Sequence, residues 1–321
     1  MSPEYIPTLE DARKIVKEFL PEEKGIIKKI DREGGDSIVF SVGDNYILRT
    51  CCERNNYDAE RAILELGLEH GVKVPKVVAV NVDLDQLPFS FSLQEKLQGI
   101  PLEVLPLDLW PQVFHEVGEE MAKLYEINVP GFGQIDLKYF RETGTLKGES
   151  NSWFEFINTL FESRKLQIIA KIKKDKENRF EGSKLNVTQI DKLLEISSRC
   201  DEIDKKISKL ATDVDKASIL HGDLHREHFI VNNRHLTGII DFNKTWVGDP
   251  LFDIAYASIM SNGEKFYKNL LKGSRVKMNE DNFHLYRLML AFGKIYTRYI
   301  QFDYLHEHSD ILDFALEELN K

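Results

Sequence analysis

The chain has 321 residues, 42% of them hydrophobic, enough to bury a sizeable core and to form two lobes. A formal charge of −10 and a pI near 5.5 argue against a nucleic-acid backbone as partner, because neutralising phosphates needs clustered Lys and Arg. No run approaches the ~20 apolar residues that span a bilayer, and Met1-Ser-Pro-Glu-Tyr5 lacks the charged-then-apolar pattern of an export signal, so a cytoplasmic protein with no membrane partner is expected.

From Thr8 to Phe19 apolar residues recur near helical spacing, with Thr8 placed to cap and Glu10 and Asp11 in the first turn. Ile26 to Ile30 and Ile38 to Val42 read as strands around the turn Asp31-Arg-Glu-Gly-Gly-Asp-Ser37, and Gly43-Asp-Asn45 turns into a third strand, Tyr46 to Thr50. Paired Gly34 and Gly35 let a backbone approach phosphates, with Asp36 or Ser37 capping the turn. Taken alone, such a turn is more often a plain hairpin, and no Walker-type Gly-x-x-x-x-Gly-Lys-Ser/Thr stretch occurs.

Asn56 to Leu64 opens a helix whose apolar side includes Ala59, Ile63 and Leu66. Gly71 to Val80 reads as a loop and strand, and Phe89 to Glu95 alternates as a strand before the segment Lys96-Leu-Gln-Gly-Ile-Pro-Leu102. The lobe boundary is expected near residue 97, giving lobes 1–97 and 98–321. Helices are expected over Leu107 to Leu124, Trp153 to about Ile172 and Leu193 to Leu210; the charged stretch Lys171 to Lys184 reads as a solvated helix end or connection. Later helices are expected over Phe283 to Gln301 and Ile311 to Leu319. Cys51, Cys52 and Cys200 offer no even disulfide framework and are expected to be reduced.

The densest chemistry lies in Ile219-Leu-His-Gly-Asp-Leu-His-Arg-Glu-His-Phe-Ile-Val231, followed by Gly238-Ile-Ile-Asp-Phe-Asn243. Phe229 to Val231 and Ile239-Ile240 read as short buried strands separated by the turn-like Asn232-Asn-Arg234. Asp223 then lies in the loop before one strand and Asp241 just after the next, with His228 five positions after Asp223 (228 − 223 = 5). Phosphoryl transfer needs one carboxylate to orient the acceptor hydroxyl and another to hold the metal that bridges the phosphates. On that logic Asp223 is the candidate base, and His228 and Asp241 are the candidate metal ligands. Beyond them, Asp249 before Pro250 marks a helix start, and Asp249 and Asp253 read as structural.

The order His221-Gly-Asp-Leu-His-Arg-Glu-His228, Ile240-Asp-Phe242 and Gly248-Asp-Pro-Leu-Phe-Asp253 resembles the aminoglycoside phosphotransferase family, whose fold is similar to that of protein kinases. The resemblance implies an α+β, bilobal fold: a small antiparallel sheet with a helix, then a larger, mainly helical lobe. It also implies Mg2+ and ATP or GTP as phosphate donor, a small-molecule acceptor with an aminoglycoside leading and homoserine, choline, sugars or macrolides as alternatives, and a monomer or weak dimer. Arg49 falls in the slot where protein kinases carry a phosphate-holding Lys, with Glu60 as its partner. Backbone groups near Glu95 and Leu97 are implied to meet the purine, and residues 135 to 212 form the insertion that shapes the acceptor site.

Three positions depart from the family pattern: Arg49 for Lys, His228 where most members have Asn, and Asn243 for the Gly of Asp-Phe-Gly. Asn tolerates the positive φ expected at that turn. The departures motivate a second reading, a degenerate kinase fold that binds nucleotide without turnover. A third, a metal hydrolase, rests on His221, Asp223, His225 and His228, although their spacing does not match His-Glu-x-x-His.

Overall fold

The computed structural model describes residues 5–30, 37–208, 214, 216–260 and 263–321. Gly34, Gly35 and Asp36 lie outside the described residues.

Helix α1 (Leu9–Phe19) starts as its sequence dictates: the Thr8 hydroxyl accepts from the Asp11 N–H, and the Asp11 carboxylate accepts from the Thr8 N–H, closing a capping box. Strands β1 (Ile27–Ile30), β2 (Ile38–Val42) and β3 (Tyr46–Cys51) follow, then α2 (Tyr57–Glu69), β4 (Val77–Asn81) and β5 (Ser90–Glu95). They form one antiparallel five-stranded sheet in the order β1-β2-β3-β5-β4. Its core, with Phe40, Leu48, Phe89, Phe91 and Leu93, closes under Ala12, Ile15 and Val16 of α1. Helix α2 does otherwise: Ala59, Ile63 and Leu64 join the larger core of the rest of the chain, so α2 ties the two bodies together.

After β6 (Ile100–Pro101), α3 (Trp110–Tyr125) runs through the larger body, preceded by a 3-10 turn over Leu107–Leu109. Strand β7 (Phe132–Ile135), helix α4 (Leu137–Thr143), capped by the Asp136 side chain, and strand β8 (Gly148–Ser150) were not legible as elements in the sequence. Helix α5 runs from Trp153 to Glu177, so the regular helix continues into the charged stretch. The single helix expected from Leu193 is instead two: α6 (Val187–Ser198), which begins earlier behind the Asn186 cap, and α7 (Cys200–Ile207). They part at Arg199, whose guanidinium reaches Asn320 Oδ1 at 2.9 Å and the Leu319 carbonyl at 3.3 Å.

Strands β9 (Ser218–Leu220), β10 (Phe229–Asn232), β11 (His235–Ile239) and β12 (Trp246–Gly248) carry the dense motif. β10 and β11 form the expected hairpin, with Asn233 and Arg234 at positive φ in its turn, and β6 pairs on the far side of β10. β12 joins β9 to β7. Helix α8 (Pro250–Ile259) begins at the Asp249 cap with proline in its first turn, as expected. Helix α9 (Gly263–Ser274) had no sequence expectation; α10 (Glu280–Ile295) and α11 (Asp310–Leu319) complete the body. The helix expected to run to Gln301 stops being α-helical at Ile295 and widens into a π-turn, Tyr296–Gln301. No described helix is long and apolar enough to cross a membrane.

Helices α3 and α9 cross backbone to backbone: a Cβ on Gly118 would lie 2.3 Å from the Leu270 carbonyl, and one on Gly273 would lie 2.1 Å from the His115 carbonyl. Gly118→Val is expected to cost about 1–3 kcal/mol or more by forcing this crossing apart, read as a lower urea midpoint with an unchanged m-value.

Candidate active site

The loop that follows β9 is held by a carboxylate 32 residues further along the chain. Asp253, fully buried in the first turn of α8, accepts the His221 N–H at 2.7 Å, the Gly222 N–H at 2.9 Å and the Tyr125 hydroxyl at 3.2 Å. The loop can turn there because residue 222 is glycine: its φ is +77°, and a Cβ would sit 1.9 Å from the Lys244 carbonyl. The turn delivers Asp223 into the cleft, where Lys244 Nζ lies 3.0 Å from Oδ2 and the Tyr256 hydroxyl donates to Oδ1. Burial pushes this carboxyl up, but the Lys244 cation and the Tyr256 hydrogen bond outweigh it and hold its pKa well below the usual carboxylate range.

The histidine tautomers follow from their partners. His228 Nδ1 sits 2.9 Å from the Asp223 carbonyl, which can only accept, so that nitrogen carries the proton. Burial lowers the pKa of His228, keeping the ring neutral, and its Nε2 lone pair then faces Asp241 Oδ2 at 3.5 Å. Two acceptors facing one another with no proton between them make a fitting berth for a divalent cation. His221 is fully engaged and takes no part: Nε2–H donates to the Ile240 carbonyl at 2.9 Å and Nδ1 accepts from the Asp223 N–H at 3.2 Å. His225 does take part in the cluster, since its ligand atom, one of Asp223 and one of His228 all lie within 4.8 Å of each other. Its Nδ1 is buried without a hydrogen-bond partner, and burial drives its pKa down to about 3.

Asp241 is also bound across the cleft. Arg49, on β3, sends NH1 to Glu60 Oε1 at 2.7 Å and NH2 to Asp241 Oδ1 at 2.9 Å. Burial alone would pull the guanidinium's pKa down, but the two carboxylates hold it above the ordinary value. Glu60 is buried and is pushed up by that burial, with Arg49 opposing. Tyr57 lies under Arg49, 5.2 Å from ring centre to guanidinium carbon, and its hydroxyl meets Ser37 Oγ at 2.8 Å. At the end of β5 the Glu95 N–H is taken by the Lys76 carbonyl at 2.8 Å and the Lys96 N–H by the Asn45 carbonyl at 2.7 Å. Leu97 is half-buried beside them, with its side chain over Gly238.

The sequence profile of the phosphotransferase enzyme family matches residues 29–284. The chain belongs to that family. No curated protein matches the sequence. Among solved structures, a thermostable mutant of aminoglycoside phosphotransferase APH(4)-Ia in ternary complex with ADP and hygromycin B is similar, with 16% identity, a TM-score of 0.65 and 96% of each chain covered. The streptomycin-ATP-APH(2")-IIa ternary complex aligns with 14% identity and a TM-score of 0.61 over 97% of this chain and 99% of that one. The GDP and kanamycin complex of APH(2")-IIia has 19% identity and a TM-score of 0.57 over 96% and 97%. At these identities the likeness is one of fold: bilobal and kinase-like, a small antiparallel sheet body against a larger helical one.

Within this phosphotransferase frame, Arg49, Glu60, Asp223, His228 and Asp241 converge as expected from the sequence, while Gly34 and Gly35 lie outside the described residues. The positive φ expected at Asn243 falls instead at Asp241, whose φ is +70°; Asn243 sits within a 3-10 turn, Phe242–Lys244, and its carbonyl accepts from Asn56 Nδ2 at 2.5 Å. Asp241, rather than the residue two places on, therefore takes the left-handed conformation that turns the chain here. Sequence reasoning missed Lys244 and Tyr256. Tyr256 had a findable signal, since it lies one helical turn beyond Asp253 (256 − 253 = 3) and so on the face that already holds the loop.

Glu60→Ala would leave Arg49 buried against one carboxylate. We expect a loss of about 3 kcal/mol in urea unfolding, with Glu60→Gln, which keeps an acceptor in place, losing clearly less.

Proposed function

We propose that this phosphotransferase moves the γ-phosphoryl group of ATP or GTP to a hydroxyl of a small molecule. The observation that carries the reading is the convergence of Arg49, Glu60, Asp223, His228 and Asp241, from segments up to 192 residues apart, on one cleft. Arg49, oriented by Glu60, holds phosphate oxygens, and the backbone about Glu95 and Leu97 takes the purine, with Gly34, Gly35 and Ser37 over the phosphates. The lobe boundary lies near residue 97, which makes that backbone the hinge. His228 and Asp241 hold a divalent ion, which when bound neutralises charge on the phosphates.

The acceptor O–H gives its proton to Asp223 as its oxygen bonds to the γ-phosphorus, while the bond from that phosphorus to the bridging oxygen breaks and its electron pair leaves on the nucleoside diphosphate. Asp223 is a weak base, because Lys244 and Tyr256 stabilise its anion. That suits a loose transition state, in which the acceptor proton is lost late and orientation contributes more than proton abstraction. The carboxylate partners argue for turnover over a degenerate fold, since the base, the phosphate cation and the metal pair are all present and mutually in reach. Hygromycin B, streptomycin and kanamycin in the neighbouring structures make an aminoglycoside the first acceptor to assay, ahead of homoserine, choline, sugars and macrolides.

Asp223→Asn is expected to lower phosphoryl transfer by about 10²–10⁴-fold while magnesium ATP still binds in calorimetry; retained transfer sinks the assignment of the base. Lys244→Met removes the largest influence lowering the Asp223 pKa. Because a depressed carboxyl stays ionised as pH falls, losing that depression should move the acid limb of the rate profile upward, toward the ordinary aspartate value of about 4. His228→Asn, an oxygen donor for a nitrogen one, is expected to shift the ratio of Mn2+- to Mg2+-supported rate toward magnesium.

A further inference from the structure

Beside the base lies a cavity of about 370 Å3, formed between α8, α5 and the α10 π-turn. Gly222, Lys244 and Tyr256 form its inner wall, so whatever occupies it meets Asp223 through the two side chains that contact the carboxylate. Its charge is opposite to that of the chain as a whole. Arg164, Lys244, Lys294 and Arg298 line it, and among its described lining residues there is no carboxylate.

Two of these cations are already answered. Lys244 pairs with Asp223, and Arg298 leans 3.6 Å from the exposed Asp310 and donates to the His308 carbonyl at 3.1 Å. The other two are not: among the described residues neither Arg164 nor Lys294 has a carboxylate within ion-pair distance. Lys294 Nζ rests against Met260 Sδ at 3.0 Å and lies 5.5 Å from the Tyr256 ring centre. Burial and the nearby Arg298 lower its pKa to about 8, and burial lowers that of Arg164. Half-buried cations without counter-ions are costly unless a ligand supplies the charge. The backbone supports the same conclusion, because the π-turn that follows Ile295 is what turns Thr297 and Arg298 into the cavity, and such wide turns cluster at functional positions.

We propose that this cavity is the acceptor site and that the acceptor is an anion: a hydroxyl compound carrying a phosphate or carboxylate group, bound by Arg164, Lys294 and Arg298 with its hydroxyl toward Asp223. This rests on the phosphotransferase reading and narrows its acceptor away from polycationic aminoglycosides, whose ammonium groups would face four cations in one cavity. Trp246, Phe252 and Tyr304 supply flat walls for the carbon frame.

The test is calorimetry on the full chain saturated with magnesium ADP, titrated with 3-phosphoglycerate, glucose 6-phosphate and tartrate, and separately with kanamycin. Magnesium ADP binding in the same samples reports on the phosphotransferase reading independently of the acceptor. The expected result is saturable binding of at least one anion, weakened about tenfold or more in both Arg164→Gln and Arg298→Gln with ADP affinity unchanged, and phosphoryl transfer from ATP to the anion that binds. Both substituted side chains are half-buried at the cavity edge, and thermal melting of each variant verifies its fold. Kanamycin binding in preference to the anions overturns the proposal. So does binding of no anion, or anion binding that both variants leave unchanged.

Discussion

Arg49 is held between two carboxylates that belong to different parts of the chain, Glu60 on α2 and Asp241 after β11, and the geometry of the cleft depends on this arrangement. A guanidinium suits the place because its planar fork donates to two acceptors at once, where an ammonium would offer a single point of charge. Each partner constrains the others. Glu60 is nearly inaccessible and would be driven toward protonation without Arg49; Arg49 would be costly in a half-buried site without both acids; and Asp241, which sits at positive φ, is pinned by the bond that Arg49 makes to it. Asp241 turns its second oxygen toward His228, so the residue that closes the cleft electrostatically is also one of the two proposed to hold the divalent ion.

The loop opposite is built by a different device with the same logic. Asp253 spends both carboxylate oxygens on backbone N–H groups of His221 and Gly222 and takes a third donor from Tyr125, so a buried acid fixes the path of a segment with little regular structure. Such a carboxylate is stable in the interior because its acceptor capacity is filled. Asp223 emerges from that rigid turn with its backbone already committed, the carbonyl to His228 and the N–H to His221. Its side chain is held as firmly, with Lys244 on one carboxylate oxygen and Tyr256 on the other, so in the proposed role of base it would lose little entropy when an acceptor arrives.

Much of this was legible in the sequence where local chemistry decides structure. Thr8 with Asp11, and Asp249 with Pro250, state where helices begin because a cap is satisfied by neighbours in the chain. The order of Asp223, His228 and Asp241 was legible for the same reason: the hairpin between them is short and apolar on its inner face. What was not legible depends on distant partners. The break at Arg199 falls where its guanidinium meets the end of α11, the widening after Ile295 where Tyr296 and Tyr299 bond Gln167 and Asp175 of α5, and the crossing of α3 and α9 at two glycines that meet only in the fold. Lys244 was invisible because nothing local distinguishes a solvent-facing lysine from one that pairs with a buried acid. The positive φ was assigned to Asn243 on residue preference, and the structure places it at Asp241, a residue type that shares the preference and is bonded there by Arg49.

Composition misleads on electrostatics for a related reason. A chain with a net charge of −10 reads as a partner for cations, yet the acids that produce that number are spread over solvated helices, where screening reduces each to a small local effect. The charges that a bound molecule would feel are the few in a low-dielectric concavity, and there the sign is reversed: Arg164, Lys244, Lys294 and Arg298 come from α5, from the turn before β12, from α10 and from the π-turn. No window of sequence holds all of them, so no running charge average would find the patch. Net charge describes how the whole molecule behaves in solution; the recognition of a small molecule is set by which side chains the fold removes from water together.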